Sequence, residues 1–380
     1  MKVLLIHSYY ISRGGEDLVF ENECKLLSEN GVQVITQIFY NNKNTILNLI
    51  LSFFNPISFF KVYNKIKKHK PQVVHIHNWH FAASPSVIVA CYLCKVPIVQ
   101  TLHSHRLICK LVDLLNPKVD SIQENKPFFS PTNPTLIFKK SFLHSLWIRT
   151  SCLYFKYSGI WKLIDKYIVL TEHSRTQYLK EYFQSVSDRF VLKSNFLFAD
   201  EVSNIPKEEF LLFVGRLTEE KGVHLILELA EKKGFLLKII GDGPLNKIVE
   251  NSVLTYSNIE WLGFQDFNII KAYMAASKSV IFPSITLEGM PMTIIEAFSN
   301  STPVIATNYS AMKTMVTDGY NGYLFERNNL DDLIFKVESL FALEAPKYDT
   351  LCKNASLTYR DFYSPEMNFK KLKEIYVSLI

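Results

Sequence analysis

Cysteine is scarce in this chain, six residues in 380 and irregularly spaced, which excludes a disulfide framework. The one close pair, Cys91-x-x-Cys94, has no second pair to complete a metal or redox site. It overlaps the apolar stretch Val87–Leu93, so it reads as a buried helix face. No apolar run approaches the ~20 residues needed to span a bilayer. The start, Met1-Lys-Val-Leu-Leu-Ile-His7, has too short an apolar core for a signal peptide and no small-residue cleavage site. It reads as the first strand of a sheet, and the chain is expected to be cytoplasmic.

What is present is enough for two domains. At 380 residues with 48% hydrophobic side chains, each half can bury its own core. Charge is divided unevenly. Residues 1–200 carry 24 Lys+Arg against 13 Asp+Glu, a net of +11, whereas residues 201–380 carry 18 against 23, a net of −5. A basic first half implies an anionic partner there, a membrane surface or a phosphorylated acceptor.

Short apolar runs alternate with amphipathic stretches throughout. Val3–Ile6, Val32–Phe39, Val73–Ile76, Ile98–Leu102 and Tyr167–Leu170 read as strands of one sheet. Phe210–Val214, Leu236–Ile240, Ile259–Leu262, Ser279–Phe282 and Pro303–Ala306 read as strands of another. Helical patterns such as Asp17–Glu29, Gly222–Lys233 and Asn268–Ala276 lie between them. The fold class is therefore α/β, two doubly wound Rossmann-like domains. The expected bounds are 1–199 and 206–364, divided in the polar stretch Ala199–Glu209, with a last helix over 365–380.

The densest clue is Pro283-Ser-Ile-Thr-Leu-Glu288-Gly289-Met290-Pro291-Met292, continuing to Glu296. A buried strand ends at Phe282, Gly289 permits a tight turn, and Pro291 suits the first position of a helix over Met292–Ser299. The free N–H groups and positive dipole end of that helix suit a phosphate. Glu288 lies in the loop and Glu296 about one and a half turns into the helix. One carboxylate can then meet a sugar and the other a ribose, with a diphosphate between.

The spacing of Glu288 and Glu296 resembles that of the retaining family-4 glycosyltransferases of GT-B architecture. Further matches are Phe213-Val-Gly-Arg216-Leu-Thr-Glu-Glu-Lys221-Gly222, Ile239-Ile-Gly-Asp-Gly243-Pro-Leu245, Gly14-Gly15-Glu16 and Pro97-Ile-Val-Gln-Thr-Leu-His103. They follow the family's order from about residue 3 to residue 325. The resemblance implies two sheets facing across a cleft, a last helix that returns to the first domain, and transfer of a sugar from a nucleotide diphosphate. It implies that Glu288 contacts the donor sugar and that His103 is an active-site histidine. In the family an acidic residue often follows this histidine; here Ser104 stands there, and His105 is the nearby substitute.

Stabilising a departing diphosphate often relies on an Asp-x-Asp motif and a divalent metal, and no Asp-x-Asp occurs in this chain. Cationic side chains and helix N-termini are the alternative. Arg216 and Lys221, five apart in a loop after a strand, can converge on one diphosphate. Glu296 can accept both ribose hydroxyls. Gly14 and Gly15 allow the backbone to approach donor phosphates, Gly243 marks a tight strand-to-helix turn, and the backbone of Gly289 through Met292 faces sugar and phosphate. His75 and His77 flank a strand end with no carboxylate evident beside them, so no metal is expected. No cofactor is expected beyond the donor, with a UDP-sugar favoured over a GDP-sugar.

On the acceptor side, Ile46–Lys70 joins an apolar segment to Lys61, Lys65, Lys67, Lys68 and Lys70 without one acidic residue. Lys139–Lys166 mixes six basic residues with aromatics such as Trp147, Tyr154 and Trp161. Such segments suit an anionic membrane interface. No nucleic-acid recognition motif accompanies them. A polyprenyl-diphosphate-linked saccharide acceptor fits, placing the chain on the inner face of the cytoplasmic membrane in capsule, O-antigen or exopolysaccharide assembly. The alternatives are a non-catalytic nucleotide-sugar-binding scaffold and a phosphorylase using pyridoxal phosphate, for which no anchoring lysine is recognisable.

Overall fold

The computed structural model describes residues 1–9, 14–41, 51–108, 150, 153–199 and 205–380. The chain divides into two compact units. The first is Met1–Asn195 with Asn368–Ile380, and the second is Phe196–Met367. The division falls just ahead of the polar stretch Ala199–Glu209, of which residues 200–204 lie outside the described residues.

In the first unit β1 (Lys2–Tyr9), β2 (Gln33–Tyr40), β3 (Val73–Ile76), β4 (Ile98–Leu102), β5 (Lys166–Val169) and β6 (Phe190–Leu192) form one sheet. Its order is β2-β1-β3-β4-β5-β6, and every pairing is parallel. The central strands β3 and β4 are buried along their whole length, as strands covered on both faces must be. Among the described residues, helices α1 (Gly15–Glu29), α2 (Pro56–His69), α3 (Ser86–Leu93) and α4 (Glu172–Leu179) flank the sheet. The start of α2 is set by Asn55, whose side-chain oxygen accepts from the Ile57 and Ser58 N–H groups, and by Pro56 in the first turn. Within α3, Cys91 is fully buried, and burial pushes its thiol upward.

The second unit repeats the plan with β7 (Glu208–Val214), β8 (Leu237–Ile240), β9 (Ile259–Trp261), β10 (Ser277–Phe282), β11 (Val304–Thr307) and β12 (Gly322–Phe325). The order is β12-β11-β10-β7-β8-β9, again all parallel. Its longer helices are α5 (Val223–Lys233), α6 (Asn246–Thr255), α7 (Phe267–Ala276), α8 (Met292–Ser299), α9 (Leu330–Phe341) and α10 (Ala345–Thr358). The last helix, α11 (Pro365–Val377), starts in the second unit and ends in the first. There Leu372, Ile375 and Tyr376 join Val3, Leu5, Phe20, Leu27 and Val73 in a buried cluster.

The strands read from sequence stand within two residues of their observed bounds, except that β1 runs three residues beyond Ile6, to Tyr9. Two strands were not anticipated, β6 and β12. Each is an edge strand of three or four residues, too short for a clear alternation.

Both sheets reverse direction once. In the first, the chain steps outward from β1 to β2 and then returns past β1 to β3. In the second it runs β7-β8-β9 and then returns past β7 to β10. At such a reversal the connections from two adjacent strands leave in opposite directions, which opens a crevice at the strand carboxyl ends. The loops after β7 and β10 therefore meet, and glycine permits the approach. Gly222 has φ +74°, and a Cβ there would fall on the Pro283 carbonyl oxygen. Gly241 (φ +142°) lies equally close to the Gly215 carbonyl. Replacing Gly222 with alanine is expected to cost at least about 2 kcal/mol, since the strained φ alone costs about 1–3 kcal/mol. Gly14→Ala, at an extended φ of −137° with no described residue within 4 Å of the added Cβ, should leave stability unchanged. Urea denaturation of the two variants checks both outcomes.

Candidate active site

The second unit gathers three of the anticipated segments at one end of its sheet. After β7, Arg216 is exposed, and Lys221 closes a short turn. After β10, Glu288 reaches back to that turn: its Oε1 lies 2.6 Å from Lys221 Nζ and accepts from Ser284 Oγ at 2.6 Å. The Glu220 carbonyl, 3.2 Å from Ser284 Oγ, is a second acceptor within reach of that hydroxyl's one proton; Ile285 N–H donates to the same carbonyl, and Ser310 Oγ donates to the Glu288 carbonyl. The two loops are thus sewn together by side chains and backbone. Lys221 and Glu288 were expected to meet different parts of a donor, yet here they pair with each other. The side chains are 21% and 15% exposed, so the pair is accessible and nearly neutral as a unit. Arg216 is the cation of this loop that no such pair occupies among the described residues.

Helix α8 begins at Met292, with Pro291 one position earlier than anticipated, in the capping place at φ −68° and ψ 118°. Met290 and Pro291 are buried, while Gly289 and Met292 are partly exposed. No side chain caps this helix, so its first N–H groups remain open to a ligand. Glu296, half-buried on α8, makes no side-chain hydrogen bond to any described residue, and burial pushes its carboxyl up to about 7. A buried carboxylate without a donor is costly, and a pair of ribose hydroxyls would relieve it. Gly243 sits after β8 in a turn where Asn246 Oδ1 accepts from its N–H; a Cβ there would press on the Leu217 backbone. Its glycine is explained by the fold itself.

In the first unit, Gly14 caps α1 and Gly15 opens it, both exposed. No described residue lies within 4 Å of a Cβ built on Gly14, and glycine suits the capping place it holds. His103 stands just beyond β4, and its neighbour is not the one anticipated. His105 turns into the core, 4% exposed, with both ring nitrogens unpartnered and its ring stacked on Tyr178. The partner of His103 is His77, with His103 Nε2 3.1 Å from His77 Nδ1. His77 and His75 do have a carboxylate, contrary to the sequence expectation. Glu23 of α1 lies 3.0 Å from His75 Nδ1 and 3.1 Å from His77 Nε2. Lys193, after β6, sits 2.9 Å from the other Glu23 oxygen. Burial pushes the Glu23 carboxyl up, but Lys193 and the two histidines outweigh it and hold it well below the usual range. The three ligand atoms lie close enough for a metal ion. However, each is already hydrogen-bonded and the carboxylate already has an ammonium counter-charge, so the donor set is satisfied without one. Glu23 escaped the sequence reading although a signal existed. It lies on the buried face of α1 with Val19, Phe20, Leu26 and Leu27, where the repeat calls for an apolar residue.

Of the basic segments, residues 46–50, 139–149, 151 and 152 lie outside the described residues. In α2 the exposed positions Ile57, Phe60, Lys61, Asn64, Lys67 and Lys68 form one stripe, apolar at its start and basic at its end. Lys65 is not part of it; its Nζ donates to the Thr36 carbonyl at 2.7 Å. Among the described residues no helix is long and apolar enough to cross a membrane.

Residues 195–357 match the family described as glycosyl transferases group 1. That region is nearly the whole second unit, so it is this unit that is similar to the group 1 glycosyltransferases. An uncharacterized glycosyltransferase of Methanocaldococcus jannaschii is 28% identical over 351 residues, covering 90% of this chain and 88% of the relative. The Escherichia coli UDP-Gal:alpha-D-GlcNAc-diphosphoundecaprenol alpha-1,3-galactosyltransferase is 25% identical over 197 residues, covering 48% and 49%. The Anabaena protein HepE, solved in complex with UDP, shares the fold over 100% of both chains with a TM-score of 0.68 at 16% identity. The fold class is GT-B, each unit a doubly wound parallel sheet.

The raised carboxyl of Glu296 gives two opposite expectations for Glu296→Gln. In the unfolded chain this carboxyl titrates near 4.5, and in the native chain near 7. The native state then holds the extra proton between those values, so its stability falls as pH rises through that window. At pH 8 Glu296→Gln should therefore raise the melting temperature of the ligand-free protein, because it removes a buried charge. The same variant should weaken nucleotide binding and flatten its pH dependence between 6 and 8. Thermal melts and calorimetric titrations with UDP check both.

Proposed function

We propose that the chain is a retaining glycosyltransferase that moves a hexose from a nucleotide-diphosphate donor, a UDP-sugar, to a lipid-linked saccharide in surface-polysaccharide assembly. The observation that carries this reading is the group at the reversal of the second sheet. The Lys221–Glu288 pair, the exposed Arg216 and the uncapped start of α8 lie at the carboxyl ends of adjacent strands. On this reading Arg216, Lys221 and the N–H groups of Gly289 through Met292 hold the diphosphate, and Gly243 shapes the loop beside it. Glu296 accepts the ribose hydroxyls. Glu288 and His103 serve the transferred sugar, and the backbone of Gly14 and Gly15 serves the donor phosphates.

The chemistry asks for charge stabilisation of a leaving diphosphate. Arg216 makes no ion pair with a described residue, and charge-assisted hydrogen bonds of this kind contribute about 1.5–3 kcal/mol. Lys221 is held by Glu288 until the diphosphate competes for it. The donor's arrival then frees the Glu288 carboxylate towards the sugar. We propose that this cationic set does the work of a divalent metal. Retention follows if the acceptor attacks from the face the diphosphate leaves, with a diphosphate oxygen taking the acceptor proton. The UDP complex of HepE and the UDP-Gal named for the E. coli relative support the donor class. The diphosphoundecaprenol in that relative's name supports a lipid-linked acceptor. The exposed stripe of α2 suits a peripheral site on an anionic cytoplasmic leaflet.

Calorimetric titration with UDP, GDP and ADP, each with and without EDTA, tests the donor assignment. UDP should bind selectively and without regard to EDTA. Arg216→Ala should weaken it roughly tenfold to a hundredfold, the equivalent of about 1.5–3 kcal/mol. Unchanged affinity in that variant would remove Arg216 from the diphosphate site, and loss of binding in EDTA would show that a metal is required. The anomeric configuration of the product, read by NMR, decides retention. Flotation with phosphatidylglycerol vesicles tests the membrane contact: Lys61→Gln, Lys67→Gln and Lys68→Gln together should abolish it. Lys65→Gln alone should leave it intact.

A further inference from the structure

Five elements of the first unit converge on one buried polar chain. Lys193 donates to Glu23 Oε2 at 2.9 Å, Glu23 Oε1 faces His77 Nε2 at 3.1 Å, and His77 Nδ1 faces His103 Nε2 at 3.1 Å. Glu23, His77 and Lys193 are 0–3% exposed, whereas His103 is partly exposed. His75 braces the same carboxylate, its Nδ1 3.0 Å from Glu23 Oε1 and 2.7 Å from Tyr376 Oη, with Nε2 2.7 Å from Thr101 Oγ1. The rings of His77 and His103 meet edge to edge, with centroids 5.3 Å apart and 22° between their planes.

The protons along this chain have one consistent placement. Glu23 is ionised and can only accept, so His77 must carry its proton on Nε2. Burial lowers His77 to about 4, so the ring is neutral and its Nδ1 is a bare acceptor. His103 Nε2 must then be the donor. Burial, followed by the neighbouring His77, holds His103 well below its ordinary value, so it too is neutral and its Nδ1 carries no proton. No described residue donates to that nitrogen. His103 lines a concavity with Asn78, Trp79, Gln100 and Ser104.

We propose that His77, backed by Glu23 and Lys193, is a positioning residue that fixes His103 in its Nε2–H tautomer and presents Nδ1 as an acceptor for a substrate hydroxyl. The inference rests on the reading of His103 given above. It assigns to a carboxylate two residues away the role that an acidic neighbour of His103 would fill, a place occupied here by Ser104. Acting through two imidazoles, the carboxylate orders the protons without putting a negative charge beside the transferred sugar.

Long-range proton–nitrogen correlation spectra of the full chain, labelled with nitrogen-15 in its ten histidines, read these tautomers directly. The signals are assigned by their loss in His77→Phe and His103→Asn. In the unsubstituted protein at pH 7, His77 and His103 should each show a bare, pyridine-type Nδ1 and a protonated, pyrrole-type Nε2. In Glu23→Gln, Lys193 claims the amide oxygen and the amide N–H turns towards His77. Both rings should then switch, leaving His103 with a protonated Nδ1. Should that variant fail to fold, His77→Phe removes the acceptor, and the two His103 nitrogen signals should move towards averaged positions. A protonated Nδ1 on His103 in the unsubstituted protein, or a His103 tautomer indifferent to these substitutions, would overturn the relay. Normal turnover of UDP-glucose or UDP-galactose by His103→Asn would instead overturn the substrate role while the spectra still reported the relay.

Discussion

Parallel pairing forces each connection to carry the chain back to the opposite edge of its sheet, so all strand carboxyl ends open on one side. Both six-stranded sheets obey this rule, and both reverse direction beside their first strand. The reversal leaves a crevice that no crossover helix fills. Into it the second unit places Arg216, Lys221 and Glu288, and the first places the α1 start and His77. The positions of these chemical groups follow from topology before any contact between them is considered. Glycine matters only where two loops must touch, as at Gly222 against Pro283 and at Gly241 against Gly215.

Two ion pairs serve different ends. Lys193 and Glu23 are buried at 2% and 0% exposure, where desolvation erodes much of the attraction. Such a pair is a weak contributor to stability, but it holds a defined charge state that neighbouring groups must respect. The histidines beside it acquire fixed proton positions as a result. Lys221 and Glu288 are more exposed and tie two loops. Their bond can be exchanged at modest cost, because water reaches the separated charges. One pair is an anchor and the other a latch.

Much of the architecture was legible in the chain because strand and turn signals are local. Val280–Pro283 and the glycine–proline loop after it announce a strand end and helix start, and α8 begins where that pattern requires. The edge strands β6 and β12 were not legible, since three or four residues carry no usable period. For the site, residue identities could be read but partnerships could not. Lys221 and Glu288, 67 positions apart, meet because β7 and β10 are neighbours. His105, two residues from His103, looked like its natural companion, yet the turn after β4 rotates it into the core.

What the sequence by itself determined is the periodic pattern that makes two parallel α/β units and the short motifs at their strand ends. Those are set by interactions within about ten residues: alternation of apolar side chains, helix caps and the conformational freedom of glycine. Only tertiary structure decided which charges would be paired. Glu23 became the hub of the His75, His77 and Lys193 cluster because α1, β3 and the segment after β6 pack against one another across 170 positions of sequence. Burial then settled their ionisation, since a charge kept from water must find its compensation in whatever the fold brings beside it.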